Sequence, residues 1–300
     1  MRNFIIFFTE KEGTSPLVHL LDNFEQISII HQVDSSEWEP VDKAWEPFDR
    51  KNCGSMPLRS LERSLDIIYN KEPIDFKRLN QIYTRTARRP FKEFSRNGVV
   101  GFKMRFTPPR KNFPYMAAFS PWNRLSKIFM EWPFRRMMIN LLRRNDVVVF
   151  LAVRQDVLRW GLSKYHGDGT GKPGHLQFKI ANGEISKEEI GKIYVDCKRL
   201  EEIILKCEKI LTHKHQLMEE FKLAGIQAYP LCYEDFLTDK QKIISEILDL
   251  LELEISKEEI DTALKEGVYF KKVHSDDILD FVENHEEVKE KFGNRFVSWC

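Results

Sequence analysis

Polar residues are almost absent from Asn3-Phe-Ile-Ile-Phe-Phe8, and the run stops at a polar segment, Thr9-Glu-Lys-Glu-Gly-Thr-Ser15. So short an apolar run without alternation predicts a strand buried on both faces. Leu17, Val18, Leu20, Leu21 and Phe24 follow at helical spacing, behind Pro16, which a first helical turn tolerates. The beginning of the chain therefore reads as strand, tight loop, helix. Ile27–Val33, Gly98–Arg105, Asp146–Val153 and Gln227–Cys232 are four further strand candidates, two of them β-branched runs of the kind found in covered parallel sheets.

Helical patterns separate these strands. The longest runs over Val195–Leu223, with Leu200, Ile203, Ile204, Cys207, Ile210, Leu211, Leu217, Met218 and Phe221 apolar and Gly225 placed as a C-cap. Ser186-Lys-Glu-Glu189 and Ser256-Lys-Glu-Glu259 have capping-box spacing, so each predicts a helix start. Strands alternating with helices predict a doubly wound α/β fold, a single domain over residues 1–300 with a mainly parallel sheet. Two stretches depart from the pattern. Residues 106–145 are rich in aromatics, proline and arginine, and residues 165–185 are rich in glycine; both are expected as insertions capping an acceptor site. His166 and His175 flank the glycines and read as bystanders unless that stretch closes over the site.

Composition narrows the function classes. With 42% hydrophobic and 31% charged residues, the chain is an ordinary soluble globular protein. A net charge of +1 gives no bulk field to attract nucleic acid or an anionic membrane, so an anionic ligand must be held by local positive charge. Cys53, Cys197, Cys207, Cys232 and Cys300 are scattered and show no CxxC spacing. That argues against zinc or a disulfide framework and for reduced thiols. The first apolar run is too short for a signal-peptide core or a membrane span, and the expected location is cytoplasmic.

Two segments carry candidate chemistry. The loop Lys11-Glu-Gly-Thr-Ser15 joins a strand to a helix, the arrangement in which loop amides and first-turn N–H groups face an anion. Gly13 permits close approach, Thr14 and Ser15 offer hydroxyls and Lys11 a charge, although plain helix capping produces similar turns. The Walker pattern G-x-x-x-x-G-K-[ST] is absent. Glu12 conflicts with an anion: a carboxylate about 4 Å from it costs on the order of 4 kcal/mol at an effective dielectric of 20, so Glu12 must point away. The second segment, Arg154 to Ser163, follows the fourth strand. Arg154 sits at the strand's carboxyl edge, Asp156 is placed to cap the next helix, and Ser163 falls two turns in. An arginine fork and a hydroxyl can grip a phosphate monoester; ordinary surface arginines on a capped helix are the bland reading.

Taken in order, these segments resemble the sulfotransferases that use 3′-phosphoadenosine-5′-phosphosulfate (PAPS), nearest the bacterial type that includes trehalose sulfotransferases. Thr9–Ser15 stands where that family has its 5′-phosphosulfate loop, typically P-R-S-G-[ST]-[ST]; here Glu10 replaces the proline, Lys11 the arginine and Glu12 a small residue. Arg154 and Ser163 match its 3′-phosphate motif, and Leu231-Cys-Tyr-Glu-Asp-Phe-Leu237 its YEDL segment, where Glu234 and Asp235 are expected to cap and orient. The resemblance implies a P-loop-NTPase-like fold and sulfuryl transfer from PAPS to a hydroxyl of a small acceptor, with no metal. It implies a cofactor site of Lys11, Glu12, Gly13, Thr14, Ser15, Arg154 and Ser163, with Lys11 also acting on the transferring group. It further implies a catalytic base, Glu46, in Trp45-Glu-Pro-Phe-Asp49, with Glu39 and Asp49 as competitors. A degenerate module that binds the product 3′,5′-ADP (PAP) and a small-molecule kinase remain as alternatives.

Overall fold

The computed structural model describes residues 2–9, 11–30, 98–105, 139–140, 142–169, 186, 191–266, 280–293, 295 and 297–299. Each predicted apolar run contains a strand: β1 (Phe4–Phe8), β2 (Ile27–Ile30), β3 (Val99–Arg105), β4 (Val148–Val153) and β5 (Ala228–Cys232). They form one sheet in the order β2-β3-β1-β4-β5, with every ladder parallel. The described helices are α1 (Thr14–Leu21), α2 (Val157–Gly169), α3 (Cys197–Leu223), α4 (Tyr233–Thr238), α5 (Lys240–Leu250), α6 (Lys257–Glu266) and α7 (His285–Phe292).

β1 is buried at all five positions because helices cover both faces of the sheet. Successive side chains point to opposite sides. Phe4, Ile6 and Phe8, with Val148, Phe150 and Ala152 of β4, pack on Leu17, Val18 and Leu21 of α1 and on Ile244, Ile247 and Leu248 of α5. On the other face Phe7 meets Phe221 of α3, ring centroids 5.9 Å apart. There Val153 joins a second cluster with Trp160, Leu200, Ile204 and Phe292. Each fully buried side chain of this size contributes about 1.5–3 kcal/mol.

The sheet is doubly wound. From central β1 the chain runs to β2 at one edge; from β4 it runs to β5 at the other. The carboxyl ends of β1 and β4 therefore flank the point where the winding reverses, the place where open α/β sheets bind ligands. Local signals hold as read. Ser256 and Glu259 form a reciprocal capping box at α6, with N–H···O distances of 3.0 and 3.2 Å. Gly225, just beyond α3, takes φ +72°. The helix start expected at Ser186 falls on residues largely outside those described.

One boundary differs. The glycine-rich insertion was expected to begin at Tyr165, yet α2 continues through Gly169. Packing carries it on. Trp160 and Leu162 are fully buried, and the Tyr165 hydroxyl accepts the Asp196 N–H at 2.9 Å, tying α2 to the start of α3. Among the described residues no helix is long and apolar enough to cross a membrane.

Candidate anion site at the carboxyl ends of β1 and β4

The loop between β1 and α1 contains two left-handed residues, Lys11 at φ +66° and Gly13 at φ +74°. For lysine that conformation costs roughly 1–2 kcal/mol, so surrounding contacts must impose it. Gly13 is the N-cap of α1 and no side chain caps the helix there. First-turn N–H groups of this kind, beside a backbone that alternates in hand, suit an anion. Lys11 is exposed, Ser15 half-buried and Thr14 buried.

Glu12 points away, as the electrostatics require. Its side chain is fully buried, and its two carboxylate oxygens accept from Lys214 Nζ at 2.7 and 2.6 Å. One of those oxygens also accepts the Thr9 N–H at 2.6 Å. Lys214 comes from the middle of α3, has no exposed surface and donates as well to the Ala152 carbonyl at the end of β4. Burial pulls the Lys214 ammonium below its ordinary value, and the Glu12 carboxylate offsets part of that. Removing one partner of such a pair costs about 3–5 kcal/mol. Any part Glu12 takes in holding an anion falls to its backbone N–H.

Arg154 leaves β4 and reaches back to the loop, its Nη1 donating to the Lys11 carbonyl at 3.0 Å. Its guanidinium lies 4.8 Å from the centroid of the Tyr233 ring. The register Val153↔Cys232 accounts for this, since it places the residues just after β4 and β5 side by side. The same Tyr233 ring closes over Gly13, where a Cβ would stand 2.2 Å from Cδ2. Burial draws the guanidinium below its ordinary value, against the pull of Tyr233, Glu234 and Asp156, and it stays cationic at neutral pH. Its Nε is buried and meets no hydrogen-bond partner among the described residues.

Glu234 caps as expected, its carboxylate accepting the N–H groups of Gln155 at 3.1 Å and Asp156 at 3.0 Å. Asp156 accepts the Arg159 N–H at 2.9 Å, completing the start of α2. Ser163 is half-buried two turns along this helix and takes no part in the contacts joining Arg154 to Lys11. A cavity of about 20 Å³ lies among Gly13, Thr14, Ala152, Leu231 and Tyr233, room for a single water and not for a nucleotide.

The structure thus brings together Lys11, Gly13, Thr14, Ser15 and Arg154. Glu46, Glu39, Asp49 and His175 lie outside the described residues. Two residues enter that sequence reasoning passed over or set aside. Lys214 had a visible signal: it breaks the apolar stripe of α3 between Leu211 and Leu217. His166, set aside as a loop residue, is buried on α2, and burial together with the Lys11 charge holds its imidazole below the ordinary histidine value. Both influences disfavour the charged imidazolium.

No family model matches the chain, and none of the curated proteins does. Solved structures similar to it include a sulfotransferase from Alicyclobacillus acidocaldarius, at 12% identity over 98% of this chain and 92% of that one, TM-score 0.41. The sulfotransferase domain of the curacin biosynthetic pathway is 10% identical over 100% of this chain and 93% of that one, TM-score 0.37. The sulfotransferase domain of the Synechococcus PCC 7002 olefin synthase is 11% identical over 98% of this chain and 96% of that one, TM-score 0.39.

Proposed function

We propose that this chain transfers a sulfuryl group from PAPS to the hydroxyl of a small acceptor, a carbohydrate or another alcohol. The observation that carries the reading is the convergence of two cationic groups at the switch point of the sheet. An exposed Lys11 lies beside an uncapped helix start, and Arg154, bonded to the same loop, keeps a buried N–H that meets no partner among the described residues. Such a pair suits a ligand with anionic groups at two places, as PAPS has at its 5′-phosphosulfate and 3′-phosphate.

In this reading the loop N–H groups, Lys11, Thr14 and Ser15 hold the 5′ end, and Arg154 and Ser163 hold the 3′-phosphate. The donor supplies the sulfuryl group and departs as PAP. The chain's own work is to position, to neutralise charge and to accept the acceptor's proton, the last assigned to Glu46. Lys11 is also the residue closest in role to the charge developing on the transferring group. A cytoplasmic setting, with its reducing conditions, suits the buried free thiols of Cys197, Cys207 and Cys232. Burial pushes the Cys207 thiol up to about 12, which leaves it inert. Glu10 and Glu12, the loop's two acidic departures from the family pattern, favour a degenerate nucleotide-binding module; the inward orientation of Glu12 weighs against that alternative.

Thermal unfolding with PAP, beside 5′-ADP and ATP–magnesium, tests this. A ligand at 100 times its dissociation constant adds about 2.7 kcal/mol, a shift of several degrees. Selective stabilisation by PAP, abolished in Arg154→Ala and followed by PAP release from PAPS with an acceptor panel, is the expected result. An equal response to all three nucleotides, or none, sinks the proposal.

A further inference from the structure

Sulfuryl transfer as described above gives Lys214 no part, yet its surroundings are built around the loop. It sits in the buried stripe of α3 with Leu211, Leu217, Met218 and Phe221, where an aliphatic residue would pack without any charge to neutralise. Its ammonium instead spans both oxygens of Glu12 and the Ala152 carbonyl, joining the loop after β1 to the end of β4. The Thr9 N–H secures the same carboxylate from the loop's other side. Lys11 and Glu12 therefore point oppositely, the cation to solvent and the anion inward, in a segment where Lys11 is held left-handed.

Set free, the Glu12 carboxylate would lie in the very loop whose N–H groups face the ligand, and repel an anion there. We infer that Lys214 is a positioning residue for the anion loop: it sequesters Glu12 and so converts a segment carrying its own carboxylate into one that accepts a phosphosulfate. The inference rests on the proposed PAPS reading for the identity of the anion. A purely stabilising pair predicts something different, since the PAP affinity of the folded chain would then not depend on whether the Glu12 charge remained once Lys214 was gone.

Isothermal titration of the full chain with PAP, with unfolding midpoints measured in parallel, separates these. Lys214→Met is expected to weaken PAP binding about 30-fold or more. Adding Glu12→Gln to it is expected to recover at least about tenfold of that loss, because the stranded charge is gone. Wild-type affinity in folded Lys214→Met, or no recovery in the double variant, overturns the positioning role. Should Lys214→Met not fold, Glu12→Asp replaces it, with a carboxylate too short to hold both Lys214 and the Thr9 N–H. It is expected to bind PAP at least about tenfold more weakly than the double variant, and equal affinity overturns the inference. Failure of the wild-type chain to bind PAP at all would overturn the PAPS reading and this inference together, an outcome distinct from the others.

Discussion

At the scale of single residues the site turns on what Gly13 lacks. Its φ of +74° is ordinary for glycine and costs other residues roughly 1–2 kcal/mol. A Cβ there would also stand 2.2 and 2.3 Å from Cδ2 and Cε2 of Tyr233, inside any permitted contact. The ring has little freedom to retreat, since its other neighbour is the Arg154 guanidinium at 4.8 Å. Gly13→Ala is therefore expected to destabilise the fold by about 1–3 kcal/mol in urea unfolding, and to displace Arg154 with the ring. A drop in stability with PAP affinity intact would mean that Tyr233 and Arg154 are not mechanically linked. Glu12 makes the complementary point, since its type alone argued against an anion and its orientation removes the objection.

At the scale of elements, α2 begins under two carboxylates, one local and one distant. Asp156 caps within its own turn, whereas Glu234 arrives from the start of α4 and takes the N–H groups of Gln155 and Asp156. Glu234→Gln keeps the length and loses the charge; it is expected to cost about 1–2 kcal/mol, with a larger loss in Glu234→Ala. Equal losses in the two variants, by chemical denaturation, would show that the side chain acts by packing and not as an acceptor. These caps also mark what the sequence could disclose. Asp156, Ser256 and Glu259 were legible because their partners lie within a turn, and β1 to β5 because a buried parallel strand writes itself as an apolar run. Tyr233 beneath Arg154 follows from strand register, and the Glu12–Lys214 pair spans 202 residues. No local pattern specifies either, although a lysine inside an apolar stripe advertised that something unlike core lay opposite. His166 was misplaced for a related reason: a glycine-rich composition predicted loop, and burial of the helix face overrode it.

Across the whole molecule, the residues that grip the candidate ligand are braced by a distant part of the chain. Gln155, next to Arg154, is buried, and its carbonyl accepts the Val297 N–H at 3.0 Å. Its side-chain oxygen accepts the Trp299 N–H at 3.1 Å. The Val157 N–H donates to the Arg295 carbonyl at 3.1 Å, and Arg295 pairs with Glu208 of α3 at 3.0 Å. Trp299 lies edge-on to His215, one residue past Lys214, with ring centroids 5.2 Å apart. Arg295, Val297 and Trp299 thus touch both the segment Gln155–Val157, which links Arg154 to α2, and the part of α3 that carries Lys214. Three hydrogen bonds at about 0.5–1.5 kcal/mol each, with the packing of Trp299, amount to a few kcal/mol, or roughly 4–10 °C in a chain of this size. Removing residues 294–300 is expected to lower the unfolding midpoint by that amount and to weaken PAP binding several-fold even well below the new midpoint. The second effect is the informative one, because lost stability alone leaves the affinity of the folded fraction unchanged. Wild-type affinity in the shortened chain at low temperature would mean that α2 holds Arg154 in place through Glu234 and Asp156 unaided. Weaker binding would make the anion site a product of both faces of the sheet, with α1 and the loop on one side and α2, α3, Arg295, Val297 and Trp299 on the other.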